Sequence, residues 1–287
     1  SPALISRAAL EGLGLEPWMV DLGVPVDPAV PHLSLGQPPA RCLSTGQALA
    51  PERVGALWQL GARWGERLAR RQDPILLAEC VPGGTTTALA VLEGLGIEAE
   101  GLVSGSQRQP DHQLKQRLVQ QGLQAAGLCA PTAPTALLAA VGDPMQALAA
   151  GVVQAAAQAG APLLLAGGSQ MAAVLALVLA ATPQGQRQAV VDQAAVVTTA
   201  WLANEASSDL PGLLSRMALH WGVEPLGFAS SLRFRGSDCA ELLAYEQGFV
   251  KEGVGAGGLS ALWQLSGRTT DDLRGACEQA CLLLRQA

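Results

Sequence analysis

The chain has 287 residues, a formal net charge of −6 and a sequence pI of about 5.1. That length suits one large domain or two small ones, able to bury about three quarters of the unfolded surface without a staple. One Tyr, three Phe and no basic stripe argue against an extended nucleic-acid surface, which needs clustered Lys and Arg.

The six cysteines, at 42, 80, 129, 239, 277 and 281, form no C-x-x-C pair. The three histidines, His32, His112 and His220, show no metal-ligand spacing. Small buried thiols in a reducing cytoplasm are therefore expected, rather than a disulfide or zinc framework, and neither metal nor cofactor is expected. The longest apolar run, 171–181, falls short of the ~20 residues a spanning helix needs. No membrane partner and no signal peptide are expected.

The chain opens S-P-A-L, already in helical register and without Met; we expect a preceding N-terminal segment to be missing. Short apolar runs bounded by Gly, Pro or polar residues predict strands at 18–22, 75–79, 136–141, 162–166 and 194–199. Segments with 3.6-residue periodicity predict helices at 51–71, 86–95, 111–126, 144–159 and 170–181. Strand alternating with helix means a parallel sheet covered on both faces. The expected fold is a three-layer, doubly wound, mainly parallel Rossmann-like α/β sheet. Beyond residue 207 helical stretches follow one another, at 210–221, 237–251, 255–265 and 269–286. We therefore expect an α/β domain over 1–206 and a smaller helical part over 207–287.

Three Gly-rich turns follow apolar runs. In the first, Glu79 leads through Cys80, Val81 and Pro82 to Gly83, Gly84, Thr85, Thr86 and Thr87. Glycines let backbone N–H groups close on an anion, and a helix N-terminus adds partial positive charge. The absence of Lys and the adjacent glycines separate this loop from a P-loop, so a single phosphate is the expected ligand. In the second turn, Gly142 is followed by Asp143 and Pro144, which read as N-cap and N1. The third contains Gly167 and Gly168. Turns at one edge of a parallel sheet line one crevice.

A second acid loop lies far along the chain. Glu252 is followed by Gly253, Gly255, Gly257 and Gly258, which allow close approach of a ligand. Two carboxylates without a nucleophile triad point to general acid–base chemistry. Lys115 reads equally as a phosphate contact or as part of a solvated helix face; Arg41 has the same two readings. Asp21 reads as a site acid or a cap. Trp58 and Trp64 on one helix read as core, or as a dimer face.

These loops and their order resemble the nicotinate-nucleotide–dimethylbenzimidazole phosphoribosyltransferase family, in its divergent branch. Members place an acid before a Gly/Thr loop, commonly Glu-Met-Gly-Ile-Gly-Asn-Thr-Thr, matched here from Glu79 to Thr86. A Val-Asp-x-Gly-Val strand end is matched by Val20, Asp21, Gly23 and Val24, and a Gly-Gly-acid turn resembles Gly142-Asp143. A Gly-Glu-Gly-x-Gly loop bearing the catalytic glutamate is matched by Glu252, Gly253 and Gly255. Val81 and Gly84 replace a Gly and an Asn, Ala166 stands where many relatives have Asp, and an Asp pair is missing around 107–111.

The resemblance implies transfer of phosphoribose from nicotinate mononucleotide to an aromatic base such as dimethylbenzimidazole. It implies Glu252 as general base and Glu79 as supporting acid. Gly83, Gly84, Thr85, Thr86 and Lys115 would hold the phosphate, and Gly142, Asp143, Gly167, Gly168, Gly253 and Gly255 would line the nucleotide site. A cytoplasmic homodimer is the expected form. An alternative reading of the same residues is a non-catalytic protein that binds a nucleotide or cobamide precursor.

Overall fold

A computed structural model describes residues 1–286. The chain opens with α1 (Ala3–Leu13), β1 (Met19–Asp21), β2 (His32–Ser34), α2 (Pro51–Ala69) and β3 (Ile75–Ala78). Next come α3 (Gly84–Gly94), α4 (His112–Ala125), α5 (Pro134–Val141), α6 (Pro144–Gln158) and β4 (Leu163–Ala166). α7 (Ser169–Ala181), α8 (Arg187–Val191), β5 (Ala194–Thr198), α9 (Ala200–Ala203) and α10 (Leu210–Trp221) follow. The chain closes with β6 (Leu226–Ala229), α11 (Ala240–Glu246), α12 (Ala256–Leu265) and α13 (Thr270–Gln286).

The strands β3, β4, β5 and β6 lie side by side in that order, all parallel. Ile75 stands opposite Leu163, Leu163 opposite Ala194, and Ala195 opposite Leu226. Side chains alternate between two cores. Ile75, Leu163, Leu165, Ala194 and Val196 join the main core with α3, α5, α6, α7 and α10. Leu76 packs instead on a second core built from α1, α11, α12 and α13. The sheet is thus sandwiched, as its apolar strands require, and the protein has the expected three-layer α/β fold.

Local sequence explains most helix ends. Pro51, Pro144 and Pro211 occupy first-turn positions, where a missing N–H costs nothing. Asp143 forms a capping box with Gln146 and starts α6. The backbones of α2 and α6 touch: a Cβ on Gly61 would lie 2.1 Å from the Leu148 carbonyl oxygen. Trp58 and Trp64 pack on the main core, and Trp58 donates to Gln154 Oε1 at 2.8 Å.

Two expected elements are corrected. The strand expected at 136–141 is α5 instead. Pro134 starts it, and Leu137, Leu138 and Val141 are buried at helical spacing; Ala and Leu favour that state. The helix expected over 237–251 shrinks to α11, because Gly248 and Val250 adopt positive φ of 87° and 45°. The chain then leaves the helix and runs back to the sheet. Two short strands, β2 and β6, have no counterpart in the sequence reading. The expected division at 206/207 falls between α9 and α10. Beyond it β6 extends the main sheet, and from before it α1 contributes to the second core.

Candidate active site

The carboxyl ends of β3, β4 and β5 are neighbours, and three acids gather there. Glu79 follows β3 and is 8% exposed. Its Oε2 accepts from Val81 N at 3.0 Å. Burial pushes this carboxyl up to about 7; the charges of Asp143 and Glu252 add to the push, while hydrogen bonds from Val81 and Gln170 oppose it. Gln170, in the first turn of α7, lies against Gly84, where a Cβ would come 1.8 Å from its Oε1. Gly84 therefore makes room for this amide.

Glu252 arrives from the other end of the sequence. The N–H of Val254 donates to the Glu79 carbonyl at 2.8 Å and joins the two acid loops. Glu252 Oε2 accepts from Thr198 Oγ1 and Thr199 N, each at 2.8 Å, at the end of β5. Its Oε1 accepts from Gly257 N at 3.0 Å and Gly253 N at 3.1 Å. A carboxylate offers about four lone-pair positions, and all four are engaged. Burial pushes this group up as well, and the four donors pull against it. The arrangement depends on Gly257: a Cβ there would lie 2.2 Å from the Thr198 carbonyl carbon and 2.5 Å from Glu252 Oε2. No side chain fits, so the α12 N-terminus presses directly onto the sheet.

Asp143 is 3% exposed and reaches the crevice from α6. Thr87 Oγ1 donates to its Oδ2 at 2.6 Å and Gln146 N to its Oδ1 at 3.0 Å. Burial raises its pKa, and these bonds oppose the rise. Gly83 caps α3 with φ 75°, and Gly84, Thr85 and Thr86 form the first turn. Gly84 N and Thr86 N donate to the carbonyls of Val81 at 3.0 Å and Gly83 at 2.9 Å, so the helix dipole and the other first-turn N–H groups are what suit an anion there.

Lys115 is half-buried and donates to the Ser104 carbonyl. Burial lowers its pKa to about 8; nearby Lys251 adds to that and Glu205 opposes it. Three glycines of the expected nucleotide site have structural partners. The N–H groups of Gly142 and Gly167 donate to Leu138 O at 3.0 Å and Val197 O at 2.8 Å. Gly168 admits the Leu202 side chain, since a Cβ there would lie 2.6 Å from its Cδ1. These glycines serve close packing under the crevice. Gly253 and Gly255 hold positive φ of 140° and 78° in the Glu252 loop.

Asp21 is spent on its own turn. It accepts from Gly23 N at 2.7 Å, Val24 N at 2.9 Å and Ser34 Oγ at 2.7 Å. The Val24, Gly23 and Ser34 bonds hold its carboxyl down at about 2. Arg41 is exposed. Sequence reasoning missed Thr198, Thr199, Gln170, Lys251 and Glu205. The pair of threonines closing an apolar strand was the one available signal. Among the described residues no three His, Cys, Asp or Glu side chains are grouped to hold a metal, and no helix is long and apolar enough to cross a membrane.

Fold and crevice define the class: a parallel α/β protein with acid-bearing loops at its strand ends. The chain belongs to the phosphoribosyltransferase family, whose model matches residues 8–203. A UPF0284 protein of Parasynechococcus marenigrum is 51% identical over 98% of this chain and 72% of its own length. Another, from Prochlorococcus marinus, is 49% identical over 98% of this chain and 71% of its own. The fold matches a nicotinate-nucleotide-dimethylbenzimidazole phosphoribosyltransferase from Thermus thermophilus, with TM-score 0.63, 20% identity and coverage of 96% of this chain and 71% of that one. It also matches CobT from the same organism, with TM-score 0.64, 19% identity and coverage of 96% and 72%.

Proposed function

We propose that this protein transfers the 5-phosphoribosyl group of nicotinate mononucleotide to an aromatic nitrogen base and releases nicotinate. The observation that carries this reading is the joining of the Glu79 and Glu252 loops, by the 2.8 Å bond from Val254 N to Glu79 O, at the strand ends. Family membership and the fold support it.

The donor carries a positive pyridinium, and its C1′ becomes oxocarbenium-like as the glycosidic bond breaks. Glu79, Asp143 and Glu252 provide negative charge for such a cation in a partly desolvated crevice. The acceptor nitrogen attacks C1′, and nicotinate leaves with the bonding electron pair, which neutralises its ring nitrogen. The leaving group needs no proton, but the acceptor must lose its N–H proton.

The two carboxylates divide the work, and geometry favours the reverse of the roles implied by the resemblance. Glu79 has one backbone donor, spare lone pairs and a pKa near neutrality, so it takes the proton. Glu252 has all its lone pairs engaged by N–H and O–H donors, which favour the charged form against the upward push of burial, and serves as an oriented charge. The α3 N-terminus from Gly83 to Thr86 holds the 5′-phosphate, with Lys115 as a partner. The cytoplasmic homodimer belongs to the same proposal, and sedimentation equilibrium checks the oligomeric state.

The direct test is chromatography of the purified protein with nicotinate mononucleotide and a panel of aromatic bases. Release of nicotinate that depends on one of the bases is expected. Nucleotide binding without release for any base would contradict transfer and support the binding-protein alternative.

A further inference from the structure

Lys251 precedes Glu252 and stands where the Gly-Glu-Gly-x-Gly pattern has its first glycine. Its side chain is 2% exposed and lies 2.9 Å from Glu205 Oε2, whose side chain is 5% exposed. A buried ammonium is costly unless it is paired and hydrogen-bonded. Here Nζ also donates to the carbonyls of Gln107 at 2.9 Å and Gly248 at 3.3 Å. Two of its protons go to these carbonyls, and the 2.9 Å contact with Glu205 is an ion pair whose buried Oε2 accepts no hydrogen bond.

The groups it joins come from three places in the sequence. Glu205 lies in the link after α9. Gln107 belongs to the 104–111 segment, where Val250 N also donates to Ser106 O at 2.9 Å and Lys115 anchors the Ser104 carbonyl. Gly248 opens the Glu252 loop. The Lys251 carbonyl itself accepts from Thr199 Oγ1 at 2.5 Å, and the Thr199 N–H holds Glu252.

We propose that Lys251 and Glu205 form a positioning pair that fixes the Glu252 loop against the 104–111 segment, whose Ser104 carbonyl Lys115 holds. The pair thereby sets the distance between the fixed charge at the ribose and the group at the phosphate. This rests on the phosphoribosyl-transfer reading of the crevice. Misplacement by about 1 Å is enough to slow a positioned reaction about 100-fold.

The test is the double variant Lys251→Met with Glu205→Leu, which removes both buried charges together and leaves neither unpaired. Two readouts apply: amide hydrogen exchange by segment, and kcat and KM for nicotinate release. We expect exchange to accelerate about tenfold or more in 104–108 and 248–254 and to stay unchanged in β4 and β5. We also expect kcat to fall about 10- to 100-fold, with KM for nicotinate mononucleotide changed far less. Unchanged exchange in those segments, uniform acceleration across the protein, or unchanged kcat overturns the proposal. If the double variant does not fold, Glu205→Gln, which keeps the shape of the side chain, is judged on the same two readouts. If the wild-type protein turns over no base, the transfer reading fails, and the exchange readout still judges whether the pair joins the two segments.

Discussion

Glu79 and Glu252 occupy the same crevice but are held in opposite ways. Glu79 has one backbone donor, Val81 N, and the Gln170 side chain beside it, so its charge is less supported than that of Glu252. Glu252 is gripped by two strand-end threonines and two glycine N–H groups. On the proposed transfer, nearness to the ribose carbon does not by itself make a carboxylate a base. Free lone pairs and a pKa near the working pH do.

The comparison can be broken first at Glu79. Glu79→Gln keeps the shape and the Val81 contact but cannot accept a proton, so kcat for nicotinate release should fall about 10²- to 10⁴-fold. A variant within about threefold of wild type would remove Glu79 from proton transfer.

A smaller effect concerns stability. The folded pKa of Glu79, about 7, lies above the ordinary value of 4.5, so the unfolded chain gives up its proton first. This group's contribution is fully present below pH 4.5 and is lost as pH rises through 7. The loss amounts to about 3 kcal/mol. Chemical denaturation of wild type and Glu79→Gln at pH 4.5 and pH 8 isolates it. The variant should gain on wild type by about that amount between the two pH values. A constant difference would show that burial does not shift Glu79.

The Glu252 side can be sharpened through a single donor. Thr198→Val removes the hydroxyl bond to Oε2 and leaves the three backbone donors. It should cost about 1 kcal/mol of stability, read by denaturant titration, with little loss of turnover, because the three backbone N–H bonds still orient the carboxylate. A loss of turnover as large as that of Glu79→Gln would mean that Glu252 is less firmly held than its geometry indicates.

Much of this was legible in the sequence, for identifiable reasons. Glu79 and the Gly83–Thr86 turn carry their own signature, an apolar strand running into glycines and a helix start. Asp143 and Pro144 announce a helix cap from neighbouring residues alone. Glu252 stands out because its glycines permit conformations that other residues resist. What remained hidden depends on distant partners. Thr198 and Thr199 look like ordinary β-formers until Glu252, 54 and 53 residues away, arrives to use them. Lys251 looks like a solvated turn residue until the fold buries it against Glu205. The 136–141 run misled because alternation and helical periodicity cannot be told apart in a short run of Ala, Leu and Val. β6 escaped because its four residues include a glycine and carry little pattern.

The most direct test of this division of labour is the pH dependence of kcat/KM for nicotinate release in wild type, Glu79→Gln and Glu252→Gln. The wild-type rate should rise with pH through an apparent pKa near 7, the value to which burial pushes Glu79. That limb should vanish in Glu79→Gln and survive, at a uniformly lower rate, in Glu252→Gln. A limb that survives in Glu79→Gln and vanishes in Glu252→Gln would contradict the account and return the proton to Glu252.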